Sequence, residues 1–187
     1  MGAIESNDTL REWSESAQYW EKHATTLRTI FAPVTSALIK EAGIVEGQKV
    51  LDVAAGPGEP SLTISEVVGP TGSVACTDAI GEMVRAAESE ARRRGLTNIS
   101  FHQCTADSLP FDGNSFDAVV SRLGVMFFPD PLAALREMLR VTKPDGLLCW
   151  LETLCFRETA RVLNSSPTES RALTSTFSNA PVEVCHV

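Results

Sequence analysis

Four short segments of this sequence carry residue types that can do chemistry. The first is Asp52-Val53-Ala54-Ala55-Gly56-Pro57-Gly58, where glycines remove side chains so that a ligand can approach the backbone at a helix N-terminus. Asp52 lies close to the apolar run before it and can orient the loop by accepting from backbone N–H groups. The second segment ends the next apolar run with Asp78 and Ala79, and a carboxylate there can accept both hydroxyls of a ribose. The third is Ala106-Asp107-Ser108-Leu109-Pro110-Phe111, in which Asp107 can accept from an adenine amino group while Leu109 covers the base. The fourth, Ser121-Arg122-Leu123-Gly124, opens toward the reacting end of such a ligand, and Arg122 there can steady an enolate or phenolate oxygen. Each has an ordinary counterpart: a plain βα turn, a solvated turn carboxylate, a surface arginine in an ion pair. Their common placement after successive apolar runs is what ordinary turns do not explain.

The elements that must position them follow from hydrophobic spacing. Residues 8–42 read as helices, with Leu10, Trp13, Ala17 and Trp20 at helical intervals, then Leu27, Ile30, Phe31, Val34, Leu38 and Ile39. Pro33 is expected to turn or kink the second stretch. From Gly47 onward short apolar runs alternate with amphipathic segments, the pattern of βαβ units. Strands are expected over 49–54, 73–77, 99–103, 116–121 and 147–151. The helix over 81–94 ends at Gly95, suited to a left-handed cap, and three arginines occupy its last turn. Asp130 caps a further helix with Pro131 at its first position, and Lys143-Pro144-Asp145-Gly146 reads as the turn into the fifth strand. The sum is a doubly wound, mainly parallel α/β sheet, whose ligands bind beyond the carboxyl ends of the strands.

Composition narrows the function. The 187 residues, 43% hydrophobic and 21% charged, suit one ordinary globular domain. A net charge of −8 argues against a nucleic-acid partner. Five scattered cysteines with no CxxC pair read as reduced thiols, and no zinc or other metal site is expected. The longest strongly apolar run, 146–151, is far short of a membrane span, and the N-terminus lacks a secretory pattern, so a cytoplasmic protein without stable membrane insertion is expected. Met1-Gly2 opens a loose myristoylation pattern with no second anchor behind it.

The stretch from Val50 to Trp150 resembles the S-adenosylmethionine-dependent methyltransferases of Rossmann-like fold, particularly the ubiquinone/menaquinone-biosynthesis type. Val50-Leu51-Asp52-Val53-Ala54-Ala55-Gly56-Pro57-Gly58 matches the family's V-L-D-x-[AG]-x-G-x-G. Asp78 matches its acidic ribose position, and Met83 a methionine five residues beyond. Ala106–Phe111 matches A-[DE]-x-L-P-F, Ser115–Val119 matches S-F-D-x-V, and Glu137–Gly146 matches E-x-x-R-V-x-K-P-G-G with Asp145 replacing a glycine. The resemblance implies S-adenosylmethionine as cofactor, held by Asp52, Ala54, Gly56, Gly58, Asp78, Ala79, Met83, Ala106, Asp107, Ser108 and Ser121. It implies a small-molecule methyl acceptor, quinone-like or phenolic. NAD fits less well: Ser61 stands where a dinucleotide fingerprint needs Gly or Ala, and Pro60 interrupts the helix start.

The resemblance also implies one domain in three parts: a helical lid over 1–45, a cofactor core over 46–151 and an atypical tail over 152–187. Tyr19, Trp20 and His23 fall where such a lid covers the acceptor, with Trp13 read as packing. Arg122 and His23 are weak catalytic candidates, and no general base stands out. The Ser- and Thr-rich tail departs from the family, whose last strands are therefore expected to be missing. That would leave an open edge on the fifth strand that self-associates or recruits residues 181–187. The alternative function is a catalytically impaired cofactor-binding remnant or interaction protein.

Overall fold

The computed structural model describes residues 2–151 and 183–186. Two helices, α1 (Gly2–Lys22) and α2 (Ala24–Glu41), precede a parallel sheet. Its strands are β1 (Lys49–Val53), β2 (Ser73–Asp78), β3 (Ile99–Gln103), β4 (Phe116–Arg122), β5 (Thr142–Leu151) and β6 (Glu183–His186). They are connected in part by α3 (Ser61–Val68), α4 (Gly81–Arg94) and α5 (Pro131–Val141), with a single 3₁₀ turn at Val125–Phe127. The spatial order is β3-β2-β1-β4-β5-β6, and every pairing is parallel. Chain order reverses between β1 and β4, so the switch point falls beside the glycine loop.

Strand alternation sorts the core into two layers. Val50, Ala118, Val120 and Cys149 face α2 and α3 through Leu38, Ile64 and Val68. Leu51, Val53, Val119, Leu148 and Trp150 face the other way, onto Leu135, Met138 and Val141 of α5. Both faces of the central strands are covered, which is why their sequences are nearly continuous apolar runs. Asp52 points to the α3 side with zero exposure.

Several boundaries differ from expectation for physical reasons. Pro33 sits inside α2 without ending it, because buried Thr35 and Leu38 beyond it keep the helix on the sheet. That packing offsets the roughly 3 kcal/mol a helix-interior proline costs. The helix after the glycine loop begins at Ser61, with Pro60 as its cap residue. β5 begins at Thr142, five residues early: a register irregularity opposite Phe116 and Ala118 absorbs the Pro144–Gly146 stretch. Asp145, in the family's glycine position, has φ +66°, a left-handed conformation that aspartate tolerates better than most residues.

The edge of β5 is not left open. β6 pairs with it from Leu147↔Glu183 to Trp150↔His186, within the 181–187 segment named from sequence. It runs parallel to β5. Self-association through that edge of β5 thus loses its basis, because the chain's own segment occupies it. Cys149 is disulfide-bonded, so the expectation of uniformly reduced thiols fails, although Cys76 and Cys104 are free. No described helix is long and apolar enough to cross a membrane. No cluster among the described residues could hold a metal ion.

Candidate functional site

A cavity of about 480 Å³ opens over the carboxyl ends of β1, β2 and β4. Its floor is backbone. Ala54 and Leu123, at the ends of neighbouring strands, have φ +60° and +63°. A non-glycine residue held there costs on the order of 1 kcal/mol, strain that persists only where the surroundings enforce it. Gly56 has φ +58° and nothing within 4 Å of where a Cβ would stand, leaving its backbone open to a ligand. Gly124 permits the two strand ends to close together, since a Cβ there would stand 2.7 Å from both Ala54 Cβ and Ser121 Oγ.

Asp78 is fixed from both sides. Its Oδ2 accepts from Gly56 N at 2.8 Å and its Oδ1 from Ile80 N at 2.9 Å. Each oxygen keeps a lone pair for a further donor. Burial raises its pKa, against the backbone N–H groups that favour the anion. Asp107, Ala106 and Thr105 line the wall beyond it, and Met83 packs beneath with Ile80 and Ala17.

Behind the glycine loop lies a second, wholly buried carboxylate. Asp52 Oδ2 accepts from Ser61 Oγ at 2.6 Å, whereas Oδ1 has no partner. Desolvation raises its pKa to about 7, opposed by Ser61 and by the nearby Arg122 charge. Ser61 is thus the anchor of Asp52, which explains why the dinucleotide-type glycine is absent at that position. Ser121 Oγ and Arg122 Nε are likewise buried without partners. Three orphaned polar atoms at the adjoining ends of β1 and β4 fit a site whose ligand carries its own polar groups.

Arg122 is largely committed within the protein. Its Nη1 donates to Thr35 Oγ1 at 2.7 Å and its Nη2 to the Glu59 carbonyl at 2.9 Å, with Phe31 5.2 Å from its guanidinium carbon. It therefore ties α2 to the glycine loop. Beside it, Glu59 pairs with Arg94 at 2.8 Å and Arg28 at 3.3 Å.

The roof is apolar. Trp13, 4.9 Å from the Phe127 ring and 5.7 Å from Trp20, joins Leu10, Leu27 and Met126 above the floor. Of the residues named from sequence, the cavity wall contains Ala54, Gly56, Asp78, Ala79, Met83, Ala106, Asp107, Arg122 and Trp20. Asp52 and Ser121 lie buried behind it. Gly58 serves packing, since a Cβ there would meet Leu62 at 2.9 Å and Ala87 at 3.1 Å. Ser108 is outside the wall, as are Tyr19 and His23, which contact each other at 4.4 Å between rings. Trp13, read as packing, lines the cavity. Phe127, Arg28 and Glu59 were not singled out at all, and only the apolar run after Gly124 hinted at the first.

Fold and floor together define the Rossmann-like fold of S-adenosylmethionine-dependent methyltransferases: a parallel sheet, a glycine loop at its switch point and an oriented carboxylate at the end of β2. Comparison with known proteins makes the assignment narrower. The chain belongs to the ubiE/COQ5 methyltransferase family, whose model matches residues 34–164. It is 37% identical over 116 residues to the demethylmenaquinone methyltransferase of Geobacillus stearothermophilus, covering 62% of this chain and 50% of that one. An uncharacterized protein of Mycobacterium tuberculosis is 38% identical over 133 residues, covering 71% of this chain and 47% of its own. The chain thus spans about half the length of these relatives. Among solved structures, YcgJ of Bacillus subtilis matches with a TM-score of 0.61 and 33% identity, over 76% of this chain and 66% of that one. A SAM-dependent methyltransferase of Aquifex aeolicus matches with a TM-score of 0.56 and 32% identity, over 59% and 58%.

Proposed function

We propose that the chain binds S-adenosylmethionine across the cavity floor and transfers its methyl group to a small, flat, apolar acceptor of quinone-like or phenolic character beneath the aromatic roof. The observation that carries this reading is the split in the cavity: backbone and carboxylates below, Trp13, Trp20, Phe127 and Met126 above. Asp78 would accept from the ribose hydroxyls, Asp107 from the adenine amino group, and Gly56 would let the ligand lie against the loop.

When bound, the cofactor supplies an electrophilic methyl group on a sulfonium, an in-line displacement that needs alignment more than proton chemistry. The protein's contribution is to exclude water and hold the acceptor against the floor. Among the described residues lining the cavity there is no His, Lys or Tyr. The ionisable side chains that line it besides arginines are carboxylates, among them Asp107 and Asp130. Arg122 acts by holding α2 to the loop, and His23 stands outside the wall.

The test is calorimetric titration with S-adenosylhomocysteine, then turnover of radiolabelled S-adenosylmethionine against a panel of demethylated hydroquinones and phenols. Methylation of a flat apolar acceptor supports the reading. Tight cofactor binding with no turnover across the panel overturns the acceptor half and favours the cofactor-binding remnant.

A further inference from the structure

We propose that the outer edge of β3 is a homodimer surface, where a second copy of this chain adds its own β3 antiparallel and joins the two sheets into one. The inference does not depend on the cofactor reading above.

β3 ends the sheet, with β2 on one side and no strand on the other among the described residues. Asn98 O accepts from Val74 N at 2.9 Å, and Cys104 N donates to Asp78 O at 3.0 Å. Along a parallel ladder, alternate residues turn both backbone groups to the same neighbour. Residues 98, 100, 102 and 104 therefore bond β2, while Ile99, Phe101 and Gln103 direct their N–H and C=O groups outward. Exposed edges are usually protected from pairing by a charge, a proline or a bulge. This edge has none of them. No Asp, Glu, Lys, Arg or Pro occurs from Gly95 to Ala106, and burial disfavours the charge of His102.

The occupant this edge fits is itself. Antiparallel pairing about a two-fold axis at Phe101 sets Phe101 opposite Phe101 of the second copy, Ile99 opposite Gln103 and Ser100 opposite His102. The outward groups of Ile99, Phe101 and Gln103 then meet in register, with no like charges opposed. Ile99 and Phe101, half-buried beside Cys76 and Ala87, gain apolar cover. α4 packs on β2 and β3, so the same axis lays the two α4 helices antiparallel on one face of the joined sheet. Each α4 has Glu82 in its first turn and Arg92 and Arg93 in its last, all with exposed side chains. The acidic end of one helix thus faces the basic end of the other, a complementarity that sets orientation. A five-residue strand is a small contact, so the dimer should be weak and reversible.

The experiment is sedimentation of the full chain over a micromolar to submillimolar concentration series, joined to amide hydrogen exchange. Wild type should approach dimer mass as concentration rises. Over the same series the outward amides of Ile99, Phe101 and Gln103 should slow, while those of Ser100 and His102, already bonded to β2, stay constant. Ser100 is exposed, on the strand face away from α4. Ser100→Lys and Ser100→Glu each place like charges close together across the axis, and each should weaken association by about fivefold. An equimolar mixture of the two variants should associate more tightly than either alone. A wild type that stays monomeric throughout would leave the edge to another protein's strand and overturn the proposal. Association without the alternating change in exchange would place the contact on another face and overturn it too, whether or not either variant folds. A mixture no tighter than its components would show that the substitutions act through the fold, with the same result.

Discussion

The floor and roof of the cavity are built by different physics. Every feature of the floor is a backbone event: strained φ values at Ala54 and Leu123, an open Gly56, and a carboxylate gripped by two N–H groups. The roof is a set of side chains, drawn from α1, α2 and the 3₁₀ turn, that meet only because those elements pack together. A backbone site is rigid and specifies one ligand; a side-chain site can be repacked. The difference teaches that the floor should govern cofactor affinity and the roof acceptor choice, with little crossover.

The largest expected effect lies beneath the floor. Asp52 has a folded pKa of about 7 against an ordinary 3.8, because burial disfavours its charge. Between those values the folded protein keeps a proton that the unfolded chain releases, so this group's contribution to stability falls as pH rises from about 4 to 7 and is level above 7. Three units correspond to about 4 kcal/mol as an upper bound. Denaturant titrations should show Asp52→Asn losing this dependence; a parallel pH profile in both proteins would mean that Asp52 stays ionised and that the floor is not built around a buried neutral acid.

Asp78→Ala comes next. Losing charge-assisted bonds worth roughly 1.5–3 kcal/mol should weaken S-adenosylhomocysteine binding by one to two orders of magnitude. In wild type, affinity should fall on acidification at a higher pH than an ordinary carboxylate would give, since the raised pKa means the accepting anion is lost sooner. A smaller effect is expected from the roof. Trp13→Ala should raise the acceptor KM by about tenfold, the worth of one aromatic contact, and leave cofactor affinity unchanged. A matching drop in cofactor affinity would break the division between floor and roof.

These two regions were not equally legible in the sequence. Asp78, Asp107 and the Gly56 loop could be placed because strand ends are marked by local signals and the parallel sheet fixes what lies beyond them. Both ends of α4 and the Asp130–Pro131 cap followed from equally local chemistry. Trp13 and Tyr19 were assigned the reverse of their observed places, because helical spacing defines a face without saying what that face meets. Here the Trp13 side meets Phe127, while Tyr19 is 62% exposed. Gly58 was read as a ligand glycine; it is also a close approach of Leu62 and Ala87, a contact between elements that no local pattern encodes. The ladder of Arg28, Glu59 and Arg94 is invisible for the same reason.

The smallest expected effect lies in neither region and serves as a control on both. Asp145→Gly should relieve the strain at φ +66° and stabilise the protein by about 0.5–1 kcal/mol in thermal unfolding, with cofactor and acceptor constants unmoved. Any change in those constants would mean that the start of β5 communicates with the cavity, and that floor and roof share a support.

Arg122 has a kinetic consequence. Because one side chain bonds Thr35 in α2 and the Glu59 carbonyl in the loop, opening either element breaks a bond that also holds the other. The two should then open as one cooperative unit. In hydrogen–deuterium exchange, a ligand seated on the loop should slow the amides of α2 around Thr35 by the same factor as those following Gly58, including amides it never touches.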